Sequence, residues 1–192
     1  MTKQAPFLRL REALERAGVP YMLTGSFASS VHGVPRATHD VDVVIAPTRE
    51  QLLALLDQFP DTEYYVSRDA ALDALARRSQ FNVVDFTSGW KIDLIVRKAR
   101  DFSREEFDRR RAMDLDGVRL DVASPEDVLI AKLEWAKQCA SERQLDDAAG
   151  VIRSQGEKLD IAYVERWVQA LGLDDEWQRA SNRAALPSLN QE

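Results

Sequence analysis

The sequence is poor in cysteine and histidine and has no long hydrophobic run, and each absence narrows the classes of protein to consider. Cys139 is the only cysteine among 192 residues, so no internal disulfide can form, and with two histidines it offers no zinc-binding cluster. No apolar run approaches the roughly 20 residues that a membrane-spanning helix requires. The segment Met1–Pro6 lacks the apolar core of a signal peptide, so we expect a cytoplasmic protein without a membrane partner.

The charge balance is acidic, with one local exception. The net charge of −6 argues against broad, non-specific binding to nucleic acid. A basic cluster nevertheless follows the middle of the chain: Arg97, Lys98, Arg100, Arg104, Arg109, Arg110 and Arg111. Acidic residues are interleaved with it, which is typical of a solvated, salt-bridged face. Contact with RNA is the alternative interpretation of this basic cluster.

Strand and helix patterns alternate through the first two thirds of the chain, and helix patterns alone follow. From Ser124 onward, the apolar spacing and capping residues predict four helices, at about 124–140, 142–154, 161–171 and 175–185. We therefore predict an α+β protein with a mixed sheet flanked by helices, followed by a C-terminal helical bundle. The predicted domains are residues 1–122 and 123–192.

Two aspartates alternate with valines in the predicted strand Asp40–Ala46. Side chains on a strand alternate between faces, so Asp40 and Asp42 lie on one face and the valines on the other. Neighbouring carboxylates repel each other and lose hydration unless a cation lies between them. The pair therefore indicates a divalent metal site, and the solvated face of an edge strand is the alternative.

Asp93 and a Gly-Ser turn extend this pattern. Asp93 lies in the apolar strand Lys91–Val96, where a buried acid needs a partner. If that strand is next to Asp40 and Asp42, three carboxylates converge; otherwise Asp93 pairs with Lys91 or with an arginine at a strand end. Gly25 and Ser26 precede a short helix whose start can bind phosphate, with Ser26 as the expected N-cap.

These residues resemble the DNA polymerase beta-type nucleotidyltransferase superfamily. Its pattern is a Gly-Ser turn, an Asp-x-Asp strand and a third acid on a later strand. The resemblance covers about Tyr21 to Val96 and is carried by Gly25, Ser26, Ala28, Gly33, Arg36, Thr38, Asp40, Asp42 and Asp93.

The C-terminal part is similar to the AbiEii/AbiGii toxin-type nucleotidyltransferases and their uncharacterised relatives. The similarity lies in Ser124–Trp135 and Arg143–Gly150. It implies a site lysine at Lys132 and a site aspartate at Asp147, with Asp146 as the weaker match. Taken from the residues alone, Lys132 could instead extend to solvent, and Asp147 could form an ordinary helix pair with Arg143.

The resemblance implies metal-dependent transfer of a nucleoside monophosphate from a nucleoside triphosphate, such as ATP or GTP, to an acceptor hydroxyl, with release of pyrophosphate. Asp40, Asp42 and Asp93 would hold two Mg²⁺ or Mn²⁺ ions, and Asp93 would help to deprotonate the hydroxyl. The implied nucleotide-binding residues are Gly25, Ser26, Arg36, Thr38, Lys132 and Asp147.

The acceptor stays open at this point. The toxin-type relatives imply RNA, such as tRNA, or a protein as acceptor, with a role as the toxin of a toxin–antitoxin or phage-defence system and an antitoxin partner. The alternatives are transfer to a small molecule such as an aminoglycoside, and a non-catalytic module that binds a nucleotide or partner. A basic groove leading from Asp40 would favour RNA, and an acidic pocket would favour a cationic small molecule.

Overall fold

The fold is that of a computed structural model, which describes residues 4–35, 40–115 and 117–185. The described residues form seven strands: β1 (Tyr21–Thr24), β2 (Asp40–Ile45), β3 (Tyr64–Val66), β4 (Gln80–Asp85), β5 (Lys91–Val96), β6 (Arg111–Leu115) and β7 (Val118–Val122). They also form nine α-helices: α1 (Gln4–Arg16), α2 (Gly25–His32), α3 (Arg49–Leu56), α4 (Arg68–Arg77), α5 (Asp101–Asp108), α6 (Pro125–Cys139), α7 (Glu142–Gln155), α8 (Ile161–Leu171) and α9 (Asp174–Ala185). The predicted α+β class is confirmed.

The chain divides into two compact units. The sheet unit contains α1, all seven strands and helices α3 to α5, and the helical unit contains α2 together with α6 to α9. The predicted domain boundary at residue 122 follows chain order alone, whereas in the structure α2 groups with the C-terminal helices.

The sheet of the sheet unit is mixed, with the strand order β3-β4-β5-β2-β1-β7-β6. Strand β2 is antiparallel to β1 and parallel to β5, which places it near the centre. Strands β4 and β3 continue antiparallel on one side, and the β6–β7 hairpin closes the other.

The two faces of the sheet differ because the strands alternate apolar and polar residues. Val41, Val43 and Ile45 of β2 are at most 1% exposed, and Ile92 and Leu94 of β5 lie beside them on the same face. Helix α4 contacts β4 and β5, and α1 contacts β7 and α3, so this face belongs to the core. The opposite face of β2 and β5 carries the charged residues.

The helical unit forms as its capping residues predict. Helix α6 begins after Ser124, whose Oγ accepts a hydrogen bond from the Asp127 N–H at 3.2 Å, and Pro125 occupies its first position. Helices α6 to α9 agree with the predicted bounds to within two residues. None of the described helices is long and apolar enough to cross a membrane.

Two glycines permit a close approach between α2 and α7. A Cβ atom on Gly33, just after α2, would lie 3.0 Å from the backbone nitrogen of Val151 and 3.1 Å from the carbonyl carbon of Gly150. Gly150 in turn faces Val34, which its own Cβ would contact at 3.4 Å. The absence of a side chain on Gly33 therefore sets the spacing of these two segments.

Candidate active site

Three predicted acids lie on one face of the sheet unit. Asp42 of β2 is the direct partner of Asp93 on the parallel strand β5, and Asp40 is the partner of Lys91. Neighbouring strands lie about 4.8 Å apart, and residues two apart on a strand share a face. Strand register therefore places Asp40, Asp42 and Asp93 on one face of two neighbouring strands, which is the condition that the sequence analysis set for three converging carboxylates.

The same face carries polar residues that sequence reasoning missed. Thr24, the last residue of β1, pairs with Asp42, and Asn82 of β4 pairs with Asp93, so four polar residues form one row across four strands. In the next row, Tyr65 of β3 is 57% exposed. The alternation of Asn82 with apolar neighbours in β4 could have predicted that its side chain lies on this polar face. Strand β3 has only three residues, which is too few for such a pattern.

Lys91 donates a hydrogen bond to Asp93, with 2.8 Å between Nζ and Oδ2. This is the pairing that the sequence left as an alternative to a free third acid. The hydrogen bond to Asp93 raises the pKa of Lys91 above its ordinary value, and the negative charges of Asp93, Asp40 and Asp42 add to that rise against partial desolvation. The ammonium group of Lys91 thus interacts electrostatically with all three carboxylates.

The donor set of this face suits a divalent metal in chemistry but not in its present arrangement. Carboxylate oxygens are the ligands that Mg²⁺ and Mn²⁺ prefer. Among the residues that the structure describes, however, no three His, Cys, Asp or Glu side chains are grouped to hold a metal. Asp93 accepts the hydrogen bond of Lys91 on Oδ2, so a metal bound to this carboxylate would lie close to an ammonium group.

In the helical unit, the predicted lysine and aspartate meet. Lys132 Nζ of α6 donates to Asp147 Oδ2 of α7 at 2.9 Å. The exposed fractions of the two side chains are 4% and 12%, so the alternative that Lys132 extends to solvent is wrong. Asp146, the weaker match, lies outward and pairs with Arg183 of α9 at 2.6 Å.

A cavity of about 210 Å³ lies beside this pair. Asp147 lines it together with Ser29 of α2 and residues of α7, namely Asp146, Gly150 and Arg153, and with Val34. The wall of this cavity therefore combines α2, which begins with the Gly-Ser pair, with α7, which carries the predicted site aspartate.

The Gly-Ser turn differs from its expected geometry in one respect. Helix α2 already begins at Gly25, whose φ of 65° lies in the left-handed region that favours glycine. Ser26 therefore lies in the first helical turn, and the prediction that it is the N-cap is wrong. The other two predicted nucleotide-binding residues, Arg36 and Thr38, lie outside the described residues.

The basic cluster is engaged within the sheet unit. The guanidinium groups of Arg97 and Arg110 lie over the ring of Phe107, at 5.4 and 4.3 Å from its centroid. Arg110 also pairs with Asp121 at 3.5 Å, and other members contact Phe102 and Asp101. This arrangement favours the salt-bridged face over a surface for RNA.

The fold is similar to those of nucleotidyltransferases of known structure. ANT(2'')-Ia, solved in complex with adenylyl-2''-tobramycin, is 13% identical with a TM-score of 0.57, over 96% of this chain and 100% of that one. The lincosamide antibiotic adenylyltransferase LnuA, solved with lincomycin bound, is 13% identical with a TM-score of 0.54, over 79% and 96%. An antigenic nucleotidyltransferase-like protein from Paracoccidioides brasiliensis is 18% identical with a TM-score of 0.51, over 90% and 91%.

The chain matches no protein-family model and no curated protein. At identities of 13% to 18%, the structural likeness shows that the chain has the fold of these nucleotidyltransferases, and no more. A particular closeness to the AbiEii/AbiGii type stays a prediction.

Proposed function

We propose that the protein is a nucleotidyltransferase, which moves a nucleoside monophosphate from a nucleoside triphosphate to an acceptor hydroxyl and releases pyrophosphate. The observation that carries the proposal is the register of two parallel strands, which pairs Asp42 with Asp93 and keeps Asp40 on the same face. Three acids on a single face, in a fold shared with nucleotidyltransferases, have a clear use in metal-dependent chemistry and a cost without it.

The three acids have different roles in this proposal. A bound Mg²⁺ or Mn²⁺ pair would supply Lewis-acid stabilisation of the phosphate charge. Asp40 and Asp42 would hold the metals, with Asp93 as the third ligand. Asp93 would also help to deprotonate the acceptor hydroxyl, which is the role that the resemblance implies for the third acid.

The phosphate-side roles fall on the helical unit. The start of α2, at Gly25 and Ser26, would hold the β- and γ-phosphates, because the first N–H groups of a helix do not bond to its own carbonyl groups. Lys132 would neutralise charge on the departing pyrophosphate, and Asp147 would act through Lys132 by fixing its ammonium group. Arg36 and Thr38 keep their predicted nucleotide-binding roles.

For the acceptor, the surface of the sheet unit favours a small cationic molecule over RNA. Four arginines of the basic cluster contact aromatic rings or acids, and the face of the three aspartates is acidic. The names of two structural neighbours include antibiotics, tobramycin and lincomycin. A toxin role, with an RNA or protein acceptor and an antitoxin partner, stays a prediction from the resemblance.

The test follows the label from an α-phosphate-labelled nucleoside triphosphate. The protein is incubated with Mg²⁺ and, separately, with a panel of cationic hydroxylated small molecules, with total RNA and with total protein. We expect label on a small molecule, and a roughly thousandfold loss of rate in Asp42→Asn and Asp93→Asn. Asp73→Asn, which changes an exposed acid on α4, is the matched control and should transfer normally.

The outcomes separate the parts of the proposal. Equal labelling by wild type and Asp42→Asn would exclude the proposed mechanism. Label on RNA or protein would retain the reaction and replace the acceptor. Mg²⁺-dependent nucleotide binding by calorimetry, without transfer to any pool, would support the non-catalytic module instead.

A further inference from the structure

The pair formed by Lys91 and Asp93 places a cation within the acidic face itself. The two residues are two apart on β5, so they share a face, and Lys91 is also the direct partner of Asp40 on β2. Lys91 Nζ lies 2.8 Å from Asp93 Oδ2. One block of side chains is thus formed by Lys91 and Asp93 of β5 and by the two aspartates of β2. It contains three carboxylates and one ammonium group.

Such a block needs its positive charge when no metal is bound. Three carboxylates on adjacent strand positions repel each other, and the cost rises as their hydration falls. Asp93 has little access to water, because its side chain is 13% exposed. The ammonium group of Lys91 offsets part of this repulsion through its hydrogen bond to Asp93, and its pKa rises because all three acids favour the charged form.

The side chain of Lys91 can also move away from Asp93 into solvent. Its side chain is 41% exposed and ends in a compact charge on a flexible four-carbon stem, so it can leave Asp93 for water at little cost. A metal ion that takes Asp93 as a ligand would lie close to this ammonium group, so the two cations repel each other and the metal favours the withdrawal of Lys91.

We propose that Lys91 is an internal counter-cation that neutralises the acidic face in the metal-free protein and competes with the divalent metal for Asp93. This inference rests on the proposed metal-dependent function. Its consequences are that Lys91 stabilises the metal-free protein and weakens metal binding, so that the metal is exchanged more readily than three aspartates alone would allow.

The experiment measures Mn²⁺ affinity without nucleotide, by calorimetry, together with the melting temperature of the metal-free protein. Lys91→Met removes the charge and keeps the length of the side chain. We expect Mn²⁺ to bind about fivefold more tightly, as the loss of a competing, partly exposed ion pair implies. We also expect the metal-free melting temperature to fall and saturating Mn²⁺ to restore most of the loss.

Two further variants make the result specific. Lys98→Met removes the same charge from an exposed position just beyond β5, and its Mn²⁺ affinity should match the wild type. Lys91→Arg keeps the charge and can bind Asp93 with two hydrogen bonds, so it should bind Mn²⁺ no more tightly than the wild type. Lys91→Gln replaces Lys91→Met if that variant does not fold.

The outcomes for this inference and for the metal site differ. Unchanged or weaker Mn²⁺ binding by Lys91→Met, while Asp42→Asn abolishes binding, would overturn the role of Lys91 and leave the metal site intact. A wild type that does not bind Mn²⁺, or an Asp42→Asn variant that binds it normally, would overturn both.

Discussion

Two lysine–aspartate pairs of nearly equal length lie in the two units and differ in their surroundings. Lys91 and Asp93 are two residues apart on one strand, with 2.8 Å between the bonded atoms. Lys132 and Asp147 are 15 residues apart on two packed helices, with 2.9 Å between them. The lysine side chain is 41% exposed in the strand pair and 4% exposed in the helical pair.

The difference in exposure decides what each pair can do. A pair that water reaches contributes little to stability, and either partner can exchange it for another ion. A buried pair has already lost its hydration, so removal of one partner leaves an uncompensated charge. The strand pair therefore suits a site where a metal enters and leaves. The helical pair suits a charge that is held in one place for a phosphate.

The sharpest test of this comparison removes the buried lysine. Lys132→Met should lower the free energy of unfolding by about 3 kcal/mol, since the largely buried carboxylate of Asp147 then loses the ammonium group bound to it. Urea denaturation of wild type and variant, monitored by circular dichroism, measures the change. A loss of stability below about 1 kcal/mol would mean that the helical pair contributes no more than an exposed ion pair does. The two lysine–aspartate pairs would then not differ in their contribution to stability.

The double variant Lys132→Met/Asp147→Leu is the control for this cause. It removes both charges, so it should recover much of the lost stability, as apolar replacement of buried pairs often does. The same control guides the assay of transfer. A Lys132 variant that loses activity has lost a phosphate partner only if it is measured where it remains folded.

The second test concerns the packing that holds the helical pair. Gly33→Ala would place a Cβ 2.9 Å from the Ser29 carbonyl oxygen and 3.0 Å from the Val151 nitrogen. Both are backbone atoms, so the contacts can be relieved only if the backbone of α2 or α7 shifts. We expect a loss of about 2 kcal/mol in the free energy of unfolding, in the range for an overpacked core.

Gly150→Ala is the matched control for this packing. Its Cβ would meet Val34 at an ordinary contact distance, within a helix that gains about 1 kcal/mol from alanine over glycine. It should be neutral or stabilising. If both variants were equally neutral, the close approach of α2 and α7 would not limit the stability of the helical unit.

Strand alternation and capping residues made much of this structure predictable. The alternation of Asp40 and Asp42 with valines fixed their common face, and the cap at Ser124 fixed where α6 begins. Both signals are local, because each depends on residues within one turn or one strand.

What the sequence left open depends on contacts between distant residues. The strand pattern left open whether Lys91 reaches Asp93, and only the folded structure shows this hydrogen bond. Whether Lys132 is buried depends on α7, which lies against it, and on no property of α6 itself. The grouping of α2 with the C-terminal helices likewise follows from the close approach at Gly33.

The smallest expected effect on stability is that of an ion pair exposed on both sides. Arg77 and Asp73 are four apart on α4, 2.8 Å between Nε and Oδ1, with side chains that are 75% and 54% exposed. Arg77→Ala should change the free energy of unfolding by no more than about 0.5 kcal/mol, since water screens such a pair. The measurement is the same urea denaturation, repeated at 1 M salt, where the small contribution of the pair should vanish.

A loss comparable to that of Lys132→Met would mean that exposure does not determine how much these ion pairs contribute to the free energy of unfolding. The assignment of the strand pair as the exchangeable one would then lose its basis.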